Sequence, residues 1–188
     1  MYSINELKTG VYVEIDGTPY QVVDYQHSKQ ARQGGIMRTT LRNILTGATV
    51  EKTFKGSEKV EPAEVSYVKG QFLYKDDNGY NFMDTVSYEQ FWLSPDQIGD
   101  NGKYLLDGTE VDVQVYKELP VSVRLPISMN FTVVDTPPGV KGDTATGGTK
   151  PAVIQTGITV QVPLFINNGD VVKVDTRTAT YTERVSKS

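Results

Sequence analysis

The sequence contains no cysteine and a single histidine, His27. Without cysteine there is no disulfide framework and no thiolate zinc site, and one histidine excludes a metal site built from several imidazoles. No run approaches the roughly 18 apolar residues of a membrane-spanning helix. The first ten residues lack the basic start and apolar core of a signal peptide. These absences predict a cytoplasmic protein that has no metal site and does not contact a membrane.

Side-chain groupings that carry catalysis are scarce as well. Ser28 follows His27, but a catalytic triad is a spatial arrangement that also needs an orienting acid. Residues 142–149, GDTATGGT, begin like a phosphate-binding loop, yet Gly148 stands where that loop requires lysine. Residues 76–79, DDNG, lack the spaced acids of a calcium loop. We therefore expect no catalytic residue and no cofactor.

The dominant pattern in the sequence is period-2 alternation of apolar and polar residues. Val11, Val13 and Ile15 alternate with polar neighbours and are followed by Asp16-Gly17, a strong hairpin signal. Similar stretches recur along the whole chain. Further turns are expected at Thr46-Gly47, Asp77-Asn78-Gly79 and Asn168-Gly169, the last two as hairpins. Many short strands with frequent turns predict an all-β protein made of small barrels or sandwiches, with one short helical segment within residues 94–108.

The charge distribution divides the chain into three parts. Residues 1–64 hold eight cations and eight acids, residues 65–127 hold five and ten, and residues 128–188 hold six and five. The net charge of −4 therefore comes mainly from an acidic middle. We place domain boundaries near residues 64 and 127. Domains of about 60 residues are individually marginal in stability, so these should pack against one another.

A basic stretch stands out in the first part. No residue from 25 to 50 is acidic, whereas Lys29, Arg32, Arg38 and Arg42 are cationic. The alternation places residues 26–37 at the end of a long β-hairpin. Such a charge run is either a solvated face or a surface for an anionic partner such as RNA.

A long loop, residues 136–151, is the second unusual segment. It is rich in glycine and threonine and longer than a simple connection between strands. Two interpretations remain open: a surface connector, or a segment whose backbone N–H groups approach phosphate or base edges closely.

Three further segments are informative: KPAVIQTGITVQVPLFINNGDVVKVDTRTATY at residues 150–181, the preceding loop VDTPPGVKGDTATGGTKP, and LRNILTGATVEKTF in the first part of the chain. They closely resemble the bacterial elongation factor P family, and the resemblance extends in register to the whole chain. The matching residues are Lys150, Ala152, Gly157, Val162, Pro163, Gly169, Asp170, Asp175, Thr176 and Tyr181.

The resemblance implies a fold and a function. The fold would be an N-terminal SH3-like (KOW-type) barrel over residues 1–64 and two OB barrels over residues 65–127 and 128–188, in an L shape like that of tRNA. Such factors bind the ribosome beside the P-site peptidyl-tRNA and stimulate peptide-bond formation at consecutive prolines. They are not enzymes, and we expect a monomer.

The resemblance also implies site residues. The modified position of the family falls on Arg32, within Lys29-Gln30-Ala31-Arg32-Gln33, where the commonest family pattern is Lys-Pro-Gly-Lys-Gly. A tip-modifying enzyme is therefore a further expected partner. The tRNA acceptor end would contact Lys29, Gln30, Ala31, Arg32, Gln33 and Gly34. The loop residues Gly142, Asp143, Thr144, Gly147 and Gly148 would face RNA near the E-site mRNA codon. Tyr181 and Arg184 would contact RNA or the ribosome.

Three alternatives remain open at this point. The unusual tip is compatible with a family paralogue that has a narrower role. The OB-type pattern is compatible with a general single-stranded nucleic-acid-binding protein. A β-rich enzyme is disfavoured because no acid/base site is evident.

Overall fold

Antiparallel strands dominate the structure, as the alternating pattern predicts. The structure is a computed structural model, and it describes residues 1–30, 34–140 and 147–188. Within these residues the strands form three sheets. Helical segments in the described ranges are short: α1 (Pro95–Ile98) and the 3₁₀ helices Ile4–Glu6 and Gly99–Tyr104. The all-β prediction is confirmed.

The first sheet is built from the N-terminal residues. Its strands are β1 (Tyr2–Ser3), β2 (Tyr12–Ile15), β3 (Thr18–Gln30), β4 (Gly34–Asn43), β5 (Thr49–Lys55) and β6 (Lys59–Pro62). They lie in the order β1-β6-β2-β3-β4-β5. Val13, Val22, Met37, Leu41 and Phe54 point to one side and form its buried core with Ile4 and Leu7. The alternation of the sequence therefore decides which face is buried.

The second sheet follows. Its strands are β7 (Val65–Lys75), β8 (Tyr80–Asp84), β9 (Gln90–Leu93), β10 (Glu110–Tyr116) and β11 (Leu119–Arg124), in the order β11-β10-β7-β8-β9. Phe72 and Phe82 pack in its core with ring centroids 5.4 Å apart. α1 starts at a capping box: the Gln97 backbone N–H donates to Ser94 Oγ, and the Ser94 N–H donates to Gln97 Oε1.

The third sheet contains β12 (Ser128–Asp135), β13 (Thr149–Ile154), β14 (Thr159–Pro163), β15 (Val171–Asp175) and β16 (Thr180–Ser186). The strand order is β14-β13-β12-β15-β16. Phe131, Ile154 and Val172 are fully buried in its core. Tyr104, which ends the preceding 3₁₀ helix, also inserts into this core, with its ring centroid 6.1 Å from that of Phe131.

The hairpin predictions have different outcomes. Asp16-Gly17 joins β2 to β3 with φ of 51° and 75°, as a two-residue Asp-Gly turn requires. The turn at Asp77-Asn78-Gly79 also forms a hairpin, between β7 and β8. The Asn168-Gly169 prediction was wrong: a turn is present, with Gly169 at φ 88°, but it joins β14 to β15, which are separated by β13 and β12. A local turn signal does not determine which strand becomes the hydrogen-bonding neighbour.

The first and second sheets pack against each other. Ile44 and Ala63 pack with Tyr116 and Val121 in a small buried cluster between the first and second sheets. The hydroxyl groups of Tyr12 and Tyr67 lie 2.7 Å apart across the same boundary. The division at residues 64 and 127 stays a proposal.

Glu14 anchors β2 to the turn between β10 and β11. The Tyr116 hydroxyl donates to its carboxylate at 2.6 Å, and Lys117 Nζ lies 3.3 Å away. The hydrogen bond from Tyr116, followed by the interactions with Lys117, lowers the pKa of Glu14. Because the folded-state pKa is lowered, this contribution to stability is present above the ordinary glutamate range and is lost as the pH falls through the folded-state pKa.

We therefore expect Glu14→Gln to lower the thermal unfolding midpoint at neutral pH. The difference from the parent should shrink as the pH falls through the lowered folded-state pKa of Glu14, below which the carboxyl group is protonated in both states. Unfolding followed by circular dichroism across this pH range measures it. Glu118→Gln, at an exposed glutamate, is the control. If the deficit of Glu14→Gln stayed constant with pH, the charge of Glu14 would not be its cause.

In the described ranges, no helix has the length and apolarity that crossing a membrane would require.

Candidate functional site

The hairpin of β3 and β4 is the longest ribbon in the first sheet. Its strands remain paired up to Gln30 and Gly34, the last described pair. β5 runs beside β4 only as far as the pair Ile36 and Lys55. The Gly56 backbone N–H still donates to the Gly35 carbonyl, and beyond Gly35 the ribbon is two strands wide. The tip residues Ala31, Arg32 and Gln33 lie outside the described residues, and the structure places the backbone of Lys29, Gln30 and Gly34 at the ends of the two strands.

The alternation along β4 sorts the cations of this ribbon onto one side. Met37, Thr39 and Leu41 are buried, so Arg38 and Arg42 lie on the opposite, exposed face. Neither arginine forms an ion pair with any other residue in the described part of the chain. Both guanidinium groups are therefore open to an anionic partner.

The pairing of β4 with β3 and β5 brings acidic residues beside the basic stretch. Thr40 lies between Arg38 and Arg42 on this face, and its cross-strand neighbours are Asp24 and Glu51. These acids lie outside the non-acidic run in sequence, but sheet pairing brings them beside it. The positive charge of the ribbon is therefore weakened at its base.

His27 lies on the same ribbon and packs across it. A Cβ placed on Gly35 would lie 2.6 Å from His27 Nε2 and 3.6 Å from Ile4 Cδ1. Glycine at position 35 therefore leaves room for the imidazole ring. The ring thus lies over Gly35, while the His27 side chain as a whole is exposed. Among the described residues, no group of three or more potential metal-ligating side chains is present.

The base of the long loop is held firmly on both sides. The Thr136 N–H donates to Asn168 Oδ1 and the Thr136 hydroxyl donates to the carbonyl of Pro151, both at 2.8 Å. Lys150 is buried, and its Nζ donates to the carbonyl of Pro137 at 2.6 Å. A Cβ on Gly139 would collide with the Leu164 carbonyl. The base of the loop is therefore fixed by specific side-chain contacts. The role of Lys150 in these contacts could not be recognised from the sequence.

The predicted RNA-facing residues of the loop are only partly described. Gly142, Asp143 and Thr144 lie outside the described residues. Gly147 is exposed, and a Cβ there would meet no atom of the described residues within 4 Å, apart from its chain neighbours. Gly148 is half-buried at the start of the return to β13. The structure therefore brings the two ends of the loop together, and the RNA contact stays a prediction.

Arg184 is held by its neighbours in the third sheet. Its guanidinium lies 4.9 Å from the Phe165 ring centroid, and Nη1 lies 3.6 Å from Asp170 Oδ2. Burial would raise the pKa of Asp170, but hydrogen bonds from the Asn167 and Ser188 backbone N–H groups, together with Arg184, lower it below its usual range. The positive charge of Arg184 is therefore partly balanced by Asp170 within the protein.

Tyr181 is half-buried and packs against the core of the third sheet. This packing leaves part of the side chain accessible. For both Tyr181 and Arg184, contact with RNA or the ribosome stays a prediction.

A cleft where the three sheets meet was not predicted from the sequence. Arg42 from β4, Arg124 from β11 and Arg177 after β15 line it. Arg124 and Arg177 each pair with an aspartate, Asp112 and Asp175. The pairings lower the positive charge of the cleft, so Arg42 is its most available cation. Only the tertiary fold brings these side chains together.

Comparison with known proteins covers the chain in three successive segments. Residues 3–60 match the model described as "Elongation factor P (EF-P) KOW-like domain", and residues 65–123 match "Elongation factor P (EF-P) OB domain". Residues 129–184 match "Elongation factor P, C-terminal". The prediction of a KOW-type domain followed by OB-type domains is confirmed.

Individual relatives agree with these models. Elongation factor P of Moorella thermoacetica is 47% identical over 184 residues, which cover 98% of this chain and 100% of that protein. Elongation factor P of Bdellovibrio bacteriovorus is 45% identical over 187 residues, with both chains covered completely. A solved structure, "Eukaryotic translation initiation factor 5A from Methanococcus jannaschii", has a TM-score of 0.54 and 29% identity, and covers 66% of this chain and 91% of its own. On this evidence, the chain belongs to the elongation factor P family and is a translation elongation factor.

Proposed function

We propose that this protein binds the ribosome beside the P-site tRNA and stimulates peptide-bond formation where consecutive prolines stall synthesis. The β3–β4 ribbon would reach the acceptor end of the peptidyl-tRNA with residues 29–34. The protein would act by positioning the tRNA, while the ribosome carries out the chemistry.

The observation that supports this proposal best is the shape and charge of the ribbon. β3 and β4 continue past the end of β5, so the end of the ribbon is narrow enough to enter a confined space. The sequence places Lys29 and Arg32 at this end, without an acid between residues 25 and 50. RNA phosphate is the natural partner of such cations, and an acid near them would repel it.

A positional role agrees with the scarcity of acid/base groupings in the sequence. Correct orientation of reacting groups is worth several kcal/mol without any catalytic side chain. The contacts between sheets, such as Glu14 with Tyr116, would hold the ribbon in a constant direction. We therefore propose a non-enzymatic factor whose three domains act as one body, in an L shape like that of tRNA.

The remaining partners are proposed from the same reasoning. The loop between β12 and β13, with its pinned base, would reach RNA near the E-site codon. An enzyme that modifies the tip would act on Arg32. The factor would work as a monomer.

The proposal is tested by in vitro translation of a reporter with three consecutive prolines, with and without the protein. We expect relief of stalling and co-sedimentation with ribosomes. Binding to free oligonucleotides without ribosome binding would favour a general single-stranded nucleic-acid-binding protein. Ribosome binding without relief of stalling would favour a paralogue with a narrower role.

The loop proposal is tested by Gly147→Val. We expect unchanged folding, because a Cβ at Gly147 would come within 4 Å of no atom in residues 1–30, 34–140 or 149–188. Ribosome binding should fall several-fold, because a bulky side chain would keep the backbone away from RNA. Co-sedimentation and thermal unfolding measure the two effects. Val140→Ala, an exposed position on the opposite side of the loop, is the control. Parent-like ribosome binding by Gly147→Val would make the loop a simple connector.

A further inference from the structure

The only tryptophan of the chain lies on the surface of the second sheet. Trp92 on β9 is 59% exposed. In the same row across the sheet lie Asn81 on β8 and Tyr74 on β7, and Tyr74 is 49% exposed. The inner face of these strands carries the buried rings of Phe72 and Phe82. Two large aromatic side chains in one exposed row are typical of an interaction surface.

The apolar surface continues beyond this row. Met83 occupies the next outward position on β8 and is half-buried. The loop that follows adds Val86 and Tyr88, which are 80% and 72% exposed. Tyr88 has a φ of 61°, a conformation that favours glycine or asparagine. Val86 and Tyr88 therefore extend the exposed apolar surface beyond the strands.

Acidic residues lie at both ends of this surface. Asp76 and Asp77 follow Tyr74 at the β7–β8 turn, and Asp84 and Glu89 bracket the loop between β8 and β9. None of the four forms an ion pair with another described residue. Asp76 and Asp84 accept hydrogen bonds from backbone N–H groups of their own turns, which keeps them charged.

The nearest cation in sequence does not neutralise this surface. Lys75 follows Tyr74 on β7, so its side chain starts on the opposite side of the sheet. Its Nζ lies 5.2 Å from the ring centroid of Tyr80, which is a core residue. The surface therefore combines exposed aromatic rings with unpaired negative charge.

We infer that this surface, which we name the Trp92 face (Tyr74, Asn81, Met83, Trp92 and the acids Asp77 and Glu89), binds a protein segment that carries arginine or lysine side chains between apolar ones. A cation over the Trp92 or Tyr74 ring is attracted by the ring quadrupole. The flanking carboxylates strengthen this attraction and steer the segment.

Charge complementarity decides against other occupants. The phosphates of RNA would be repelled by Asp77 and Glu89, whose charges have no partner among the described residues. A second copy of this chain would bring the same acids against themselves. The inference goes beyond the proposed function and does not depend on it.

The fluorescence of Trp92 reports binding at this face directly, because the chain has no other tryptophan. The full-length protein is titrated at low salt with a short peptide of alternating arginine and leucine, and separately with oligouridylate RNA. We expect a saturable change in emission with the peptide and none with the RNA. The affinity should fall about tenfold in Tyr74→Ala and in the double variant Asp77→Asn/Glu89→Gln. Raising the salt concentration to about 1 M should also weaken peptide binding.

The matched control is Glu118→Gln/Leu119→Ala, which removes one exposed acid from the β10–β11 turn and one exposed apolar side chain from the start of β11. This variant should bind the peptide like the parent. Circular dichroism checks that each variant is folded. An unchanged emission at saturating peptide, or an equal loss of affinity in the control, would overturn the inference. A response to RNA alone would make the Trp92 face a nucleic-acid surface, and Trp92-dependent dimerisation in sedimentation would assign it to a second copy.

Discussion

Arg32→Ala should abolish most of the relief of polyproline stalling while leaving the protein folded. The sequence predicts that Arg32 lies at a solvated hairpin tip, and a substitution at such a position should change the free energy of unfolding by no more than about 0.5 kcal/mol. Ribosome binding should fall only modestly, because in the proposed binding mode the other two domains would still contact the ribosome. Relief of stalling should fall by about tenfold or more, since a small misplacement of reacting groups has a large effect on rate. In vitro translation of the triple-proline reporter measures this effect.

Two further variants show what Arg32 contributes. Arg32→Lys should be intermediate if the bare charge matters, and as poor as alanine if a modification on arginine is needed, since the guanidinium fork is not copied by lysine. Arg38→Ala removes an exposed arginine from the body of the same ribbon. Its loss of activity should match its loss of ribosome binding. Full relief of stalling by Arg32→Ala would remove the tip from the mechanism and favour the paralogue.

Tyr104→Ala should give the largest loss of stability among the variants considered. The Tyr104 ring is 5% exposed and fills the core of the third sheet beside Phe131. Truncating a buried aromatic side chain costs about 3–5 kcal/mol. The ring comes from the 3₁₀ helix that precedes the third sheet in the chain. Its loss should therefore destabilise the core of the third sheet and also weaken the contact between this core and the 3₁₀ helix. Urea denaturation measures the loss in the free energy of unfolding. Amide hydrogen exchange at Val172 and Val174 shows whether the loss occurs in the third sheet.

The control is the same substitution at an exposed tyrosine. Tyr74→Ala should change the free energy of unfolding by no more than about 0.5 kcal/mol. Amide exchange at Phe82, in the core of the second sheet, should change less than at Val172 in the Tyr104 variant. A Tyr104→Ala protein that unfolds like the parent would mean that the third sheet closes its core without this ring.

Much of the site depends on pairings that are distant in sequence. Asp24 and Glu51 lie outside the basic stretch in sequence, yet strand register places them on either side of Thr40, the residue between Arg38 and Arg42 on this face. Lys150 looks like a surface cation but is buried and holds the loop base through the Pro137 carbonyl. No periodicity in the sequence carries this information, because each contact depends on which strands become neighbours.

The sequence by itself determined the local features of this protein and its family. Period-2 alternation and turns such as Asp16-Gly17 act through the backbone of a few adjacent residues, so the strands and this hairpin were predictable. Only the tertiary structure decided that Asn168-Gly169 joins strands that are not neighbours, that Glu14 meets Tyr116, and that Tyr104 completes the third core. The physical reason is that burial and sheet pairing reward contacts between any segments that fit, however far apart they lie in the chain.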